Sequence, residues 1–388
     1  MKRIILTSAL ALLAVVGMHA QTKWTATWAT AIEAPLAESD MPRTTLSDHT
    51  LRQVIHVSIG GEKLRLQLSN EQSAQPVEIK SVYIADAAEG KALAAETAKY
   101  LTFDGKPSVT IEPGKAVYTD VADYRLKPLQ RLTVTISYGQ TPEKATTHRG
   151  SRTTSYLAQG EVKPDEAFTP VETFEHWYSI AALEVEAPAS TRCIACLGNS
   201  ITDGRGTTTD AQNRWTDVLA EELGGKVAVI NLGIGGNCVV SGGLSAPASK
   251  RFDRDILAQQ GVTDLIIFEG VNDIGGIKDD GTERVEALIG YYALFAKKAK
   301  EKGMKVYGGT IMPFKNFSYY TDVHEKARQT VNQWIRTTRD FDGVLDFDMA
   351  TLDPQDPAAL RADLQSDWLH PNAKGYKVMG QYAAKVVK

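Results

Sequence analysis

The sequence predicts an α/β protein: a three-layer α/β/α half built on a parallel five-stranded sheet, preceded by an antiparallel β-sandwich-like domain. Three observations carry that expectation. Residues 24–186 alternate apolar and polar side chains with period two, whereas the residues after 190 alternate short apolar runs with helix-length amphipathic segments. Between the two rhythms lies a Pro/Ala/Ser stretch, EVEAPAS, at Glu184–Ser190. The expected division is a leader over 1–20, a β-sandwich-like accessory domain over 21–185 and an α/β domain over 186–388. A chain of 388 residues that is 43% hydrophobic can give each domain its own core.

The first twenty residues, MKRIILTSALALLAVVGMHA, read as a cleaved secretory signal: two basic residues, an apolar run too short for a membrane anchor, then small residues ending at Ala20. No cysteine follows to accept a lipid, so no membrane anchor is expected. Removing the leader takes Lys2 and Arg3 with it, so the net charge of −4 becomes about −6, a balance that disfavours nucleic acid as a partner. The expected localisation is secreted or periplasmic.

In the β half, EKLRLQLSN places Leu64, Leu66 and Leu68 on one face and Lys63, Arg65 and Gln67 on the other. LRQVIHVSIGG, SVTIEPG and RLTVTISYG repeat the pattern between Gly, Pro and Asn breaks. In the second half the strand candidates are RCIACLG, KVAVINLG, DLIIFEG, KVYGGTI and GVLDFD. Strict strand–helix alternation predicts βαβ units, hence a parallel sheet covered on both faces. The three cysteines, Cys193, Cys196 and Cys238, exclude a disulfide scaffold. Cys193 and Cys196 on an extended strand would stand roughly 10 Å apart, beyond disulfide reach, and no metal ligand set such as HExxH or a second CxxC accompanies them.

In a parallel sheet, functional residues collect at the carboxyl ends of the strands. The first strand candidate ends in GNS, presenting Ser200; the second in NLGIGGN, where Gly235 and Gly236 leave backbone N–H groups unshielded; the third in EGVND, bringing Asn272 and Asp273. A hydroxyl, bare donors and an amide on one rim are what a nucleophile with an oxyanion hole requires. For a base, His370 in SDWLHPNAKGY follows Asp367 by three residues, a spacing that can fold carboxylate and imidazole together. His324, in TDVHEKARQ, reads instead as a solvated residue of a polar first helical turn. GxSxG is absent, since Thr202 stands two residues after Ser200, and so is the third glycine of GxGxxG, replaced by Cys238.

These blocks resemble those of the SGNH, or GDSL-type, hydrolase superfamily: GNSI at Gly198–Ile201, NLGIGGN, GVND at Gly270–Asp273 and DWLH at Asp367–His370, in order over residues 186–388. The wider matches TLRQVIHVSIGGEKLRLQLSNE, THRGSRTTSY, RWTDVLAEEL and RFDRDILAQQGV resemble a two-domain branch of secreted aryl- and carbohydrate esterases. The resemblance implies a flavodoxin-like domain, with Ser200 as nucleophile, His370 as base and Asp367 as its orienter. The implied oxyanion donors are the N–H groups of Ser200 and Gly236 and the Asn272 amide. Asn199 stands where the family carries an acid. No metal or organic cofactor is implied.

The implied activity is removal of small acyl groups, acetyl foremost, from an acylated polysaccharide or oligosaccharide. Asn199, Trp368 and Phe317 of the segment FKNFSYY are expected to contact substrate, and Trp177 is either a sugar platform or core. His148, Arg149 and Arg152 could reach the cleft, but a solvated basic loop is the preferred expectation for them. A glycan-binding protein that keeps the fold without the chemistry, or a lipase or arylesterase for short-chain esters, are the alternatives.

Overall fold

Residues 21–388 are described by a computed structural model; the leader expected over 1–20 lies outside the described residues. In the β half the principal strands are β1 (Thr22–Ala29), β2 (His49–His56), β3 (Gly61–Ser69), β4 (Val77–Asp86), β5 (Arg131–Tyr138), β6 (Ser155–Gln159), β7 (Pro170–Phe174) and β8 (Ile180–Pro188). They form two antiparallel sheets. One runs β1-β8-β3, with the short strands Ala116–Tyr118 and Ala122–Leu126 both on β3; the other runs β7-β6-β2-β5-β4, with Lys99–Leu101 and Val109–Ile111 both on β4. The alternation in β3 sets its register, since Leu64, Leu66 and Leu68 are all fully buried while Lys63 is exposed. Slipping by one residue would expose all three, at about 1.5–3 kcal/mol each.

The second half contains a parallel sheet of β9 (Cys193–Gly198), β10 (Ala228–Gly233), β11 (Asp264–Phe268), β12 (Lys305–Gly309) and β13 (Gly343–Leu345), in the order β10-β9-β11-β12-β13. This is the doubly wound, flavodoxin-like order, whose switch point falls where β9 meets its two neighbours. The helices are α1 (Ser200–Asp203), α2 (Trp215–Glu222), α3 (Ala248–Phe252), α4 (Val271–Gly275), α5 (Thr282–Glu301), α6 (Asp322–Thr337), α7 (Phe347–Thr351) and α8 (Ala373–Val387). Helix α5 buries Val285, Leu288, Tyr292, Phe295, Ala296 and Ala299, spaced to form one helical face. Side-chain caps start α6 and α8: Thr321 Oγ1 accepts from His324 N (3.1 Å), and Asn372 Oδ1 from Gly375 N (3.0 Å). Among the described residues, no helix is long and apolar enough to cross a membrane.

The halves are welded rather than tethered. Only Ala189–Arg192 separate β8 from β9, and one apolar cluster contains Leu64 and Val185 together with Ile194 and Val229. Ala26 N donates to Gln260 O (3.0 Å), and Val229 N donates to Ser58 Oγ (3.0 Å). The three cysteines are buried and free, and burial pushes the Cys193 thiol up to about 12.

Candidate active site

Strand β9 ends at Gly198, where a Cβ would lie 2.0 Å from Thr202 Oγ1, so the turn into α1 closes only without a side chain there. Asn199 then caps α1: its Oδ1 accepts from Ile201 N (3.0 Å). This leaves Ser200 as the first helical residue. Its carbonyl accepts from Gly204 N and Arg205 N, both at 2.9 Å, which closes the single turn of α1.

Ser200 Oγ lies 2.9 Å from His370 Nε2, although 170 residues separate them in the chain. His370 Nδ1 is 2.8 Å from Asp367 Oδ2 and 3.1 Å from Oδ1. A carboxylate can only accept, so Nδ1 carries the proton and Nε2 is left with a lone pair toward the serine. The turn is self-templating: Asp367 Oδ1 also accepts from Leu369 N (3.1 Å) and His370 N (2.8 Å). Burial lowers the His370 pKa below its ordinary value; the Asp367 hydrogen bond and charge oppose this, while Arg205 and Arg152 push it further down. Asp367, despite partial burial, is held below the usual carboxylate range by those backbone and imidazole bonds.

Gly236, with φ of 70°, and Asn272 line the same cleft as Ser200 and His370. The Asn272 amide is fixed from both ends: Nδ2 donates to Asn237 O (2.8 Å), and Oδ1 accepts from the Tyr319 hydroxyl (3.2 Å). That leaves one N–H free for a ligand. Asp273 does not share this role; it is buried, and it accepts from Val239 N (2.7 Å) and Val240 N (2.9 Å), tying down the glycine-rich loop.

Beneath the rim is a charged support that sequence reasoning missed. Arg251, 1% exposed, donates to Gly198 O (3.0 Å) and Leu232 O (2.8 Å), fixing the ends of β9 and β10. Glu269 sits 3.5 Å from that guanidinium and accepts from Asn199 Nδ2 (3.2 Å). Burial nevertheless raises Glu269 to about 8, with the Arg251 charge opposing and Asp273 reinforcing. The one available signal was an acid at the last position before GVND.

Of the remaining expectations, those for Asn199, Trp368 and His324 need correction, that for Phe317 agrees with the cleft lining, and the choice left open for Trp177 is decided. Asn199 does not face substrate: it is 2% exposed, consumed by its cap and by Glu269. Trp368, at the apex of the Asp367–His370 turn with φ of 69°, is not part of the cleft wall; Leu369 is. Phe317 does line the cleft, edge-on to the His370 ring at 6.3 Å. His324 is buried rather than solvated, because its ring turns inward to bridge the carbonyls of Tyr319 and Ile277. Trp177 is core, packed edge-on against Trp28 at 5.1 Å.

The largest correction concerns THRGSRTTSY. His148 is buried, and Arg149 and Arg152 line the cleft with Glu33, all four from the β half. The basic loop is drawn in by acids: Arg149 Nη2 lies 2.8 Å from Glu33 Oε2, and Arg152 Nη2 lies 3.1 Å from Asp203 Oδ2.

Residues 196–378 match the model of the GDSL-like Lipase/Acylhydrolase family. Over this stretch the chain is similar to that family. Similar solved structures include a lipolytic protein of the G-D-S-L family from Desulfitobacterium hafniense DCB-2, with 24% identity over 50% of this chain and 99% of that one and a TM-score of 0.41. A GDSL-like lipase from Bacteroides thetaiotaomicron VPI-5482 shows 19% identity over 50% of this chain and 86% of that one, TM-score 0.39. A catalytic mutant of an acetylxylan esterase from Geobacillus stearothermophilus shows 17% identity over 50% and 93%, TM-score 0.36. No curated protein matches the chain. Likenesses this distant say nothing about a substrate.

Proposed function

We propose that the protein is a serine esterase that removes short acyl groups, acetyl foremost, from carbohydrate. The observation that carries this reading is the unbroken line Ser200 Oγ, His370 Nε2, His370 Nδ1, Asp367, with bonds of 2.9 Å and 2.8 Å. Ser200 attacks the ester carbonyl while Nε2 takes its proton; the imidazolium, steadied by Asp367, returns that proton to the departing alcohol. Water then cleaves the acyl-serine by the same route in reverse. The Ser200 and Gly236 N–H groups and the free Asn272 N–H would receive the developing oxyanion.

The choice of a short acyl group and a hydroxyl-rich alcohol follows from the wall chemistry. The cleft holds about 360 Å³, and among the described residues that line it the aliphatic, phenyl and phenol side chains are Leu244, Phe317, Tyr319 and Leu369. A long acyl chain would lie against carboxylates and guanidiniums, whereas sugar hydroxyls can bond to them. Action outside the cytoplasm is proposed from the leader-like residues 1–20, with an acylated polysaccharide or oligosaccharide as partner.

A fluorophosphonate probe and acetylated xylan, pectin and monosaccharide esters test this together. The expected result is labelling and acetate release by the wild type, with both lost in Ser200→Ala. Equal labelling of Ser200→Ala, or none of the wild type, would leave a glycan binder on the same fold.

A further inference from the structure

We propose that His148, contributed by the β half, stands as an imidazolium and is a positioning residue for the nucleophile: with Arg152 it holds the Asp203 carboxylate, and through it the turn α1 that begins at Ser200. The inference rests on the reading of Ser200 as nucleophile.

The charge of the ring follows from its partners. His148 Nδ1 lies 2.8 Å from the carbonyl oxygen of Ala31, and Nε2 lies 2.9 Å from Asp203 Oδ1. A carbonyl can only accept, so Nδ1 must carry hydrogen; an ionised carboxylate can only accept, so Nε2 must as well. A neutral imidazole has one proton and would leave one of these buried contacts repulsive. The alternative, a protonated Asp203, conflicts with the Arg152 guanidinium on its other oxygen at 3.1 Å. Burial works against the Asp203 charge, but Arg152, His148 and Arg214 together hold the carboxyl below the ordinary carboxylate range. Burial works against the imidazolium too, and is outweighed by Asp203, by Glu33 at 3.8 Å and by the Ala31 carbonyl. The cations nearby are spoken for: Arg149 is paired with Glu33, Arg152 with Asp203 and Arg214 with Asp217 at 3.0 Å.

The mechanical link is short. Asp203 is the last residue of α1 and Ser200 the first. Asp203 N donates to Asn199 O (2.9 Å), while its carbonyl accepts from Arg214 Nε (3.2 Å). The β half closes on its carboxylate so tightly that a Cβ on Gly150 would sit 1.9 Å from Asp203 Oδ2. Stripped of the imidazolium, the carboxylate keeps one ion-pair partner instead of two, and α1 can rotate. A displacement of about 1 Å at a reacting oxygen can cost on the order of 10²-fold in rate.

Two measurements test this. In wild-type protein with isotopically labelled histidine, the His148 ring, identified by its proximity to the indole of Trp177, against which it stacks at 5.8 Å, is expected to show both N–H protons at pH 7. It should lose one only above the ordinary histidine range. A neutral ring at pH 7 overturns the inference. In His148→Gln, kcat on an activated acetate is expected to fall on the order of 10²-fold with KM little changed, and the alkaline decline of kcat/KM that deprotonation of His148 should produce in the wild type should vanish. A folded His148→Gln with wild-type kcat and an unchanged alkaline limb also overturns it, whereas failure of Ser200 labelling in the wild type would overturn the esterase reading instead.

Discussion

The two edges of the cleft are built by different means. On the α/β edge, the nucleophile and the base are held by residues close to them in sequence: Asn199 caps the turn that begins with Ser200, and Asp367 folds the turn that ends in His370 three residues on. On the β edge, every group is held across long chain separations, 55 residues for His148 and Asp203 and 116 for Arg149 and Glu33. Local turns supply the chemistry, and long-range ion pairs supply its placement. Substitutions on the first edge should therefore reduce the chemical step directly, and those on the second should act through the position of α1.

The sharpest test of the α/β edge is Asn272→Ala. Its free N–H is the only side-chain donor assigned to the oxyanion, and one such donor is worth about 10²- to 10³-fold in kcat. Steady-state rates on an activated acetate check this; a rate near wild type would remove Asn272 from the role. On the β edge, Gly150→Ala should be milder, on the order of 10- to 100-fold in kcat, because the added methyl must displace the Asp203 carboxylate rather than delete a reacting group. The displaced carboxylate also loosens its ion pairs, so the melting temperature should fall as well. If Gly150→Ala leaves kcat unchanged, the contrast between the edges disappears.

The contrast also explains what the sequence could reveal. Alternation of period two in β3 and of strand with helix after Pro188 makes both halves readable, and the strand-end rule points to Ser200, Gly236 and Asn272 from the sequence alone. These signals are local. Asn199 misled because a capping side chain and a substrate-facing one have the same composition; only the cap bond to Ile201 N and the Glu269 contact separate them. Trp368 misled because sitting between Asp367 and His370 in sequence does not put it between them in space, as the reverse turn places it at the apex. THRGSRTTSY looked solvated because its acids, Glu33 and Asp203, lie far away in the chain, and nothing in the segment announces them. The same holds for Arg251, whose work is done on the carbonyls of two neighbouring strands.

The smallest expected effect lies where the two edges meet, at Arg205. Its side chain is 62% exposed and stands 4.0 Å from Asp367, and after burial it is one of the two cations that depress the His370 pKa. The base must be neutral to accept the serine proton, so the acid limb of kcat/KM in the wild type should lie below the ordinary histidine value of about 6.5. Removing a nearby positive charge makes protonation easier, so Arg205→Ala should move that limb to higher pH while leaving the plateau near the wild-type level. Because Arg205 is exposed, salt should erase the difference: the screening length falls from about 8 Å at physiological ionic strength to about 3 Å at 1 M. Limbs that coincide at low salt would show that Arg205 is electrostatically silent. A separation that survives 1 M salt would mean that the substitution acts by moving the Asp367 turn, which would shift Arg205 from a tuner of charge to a part of the local scaffold on the α/β edge.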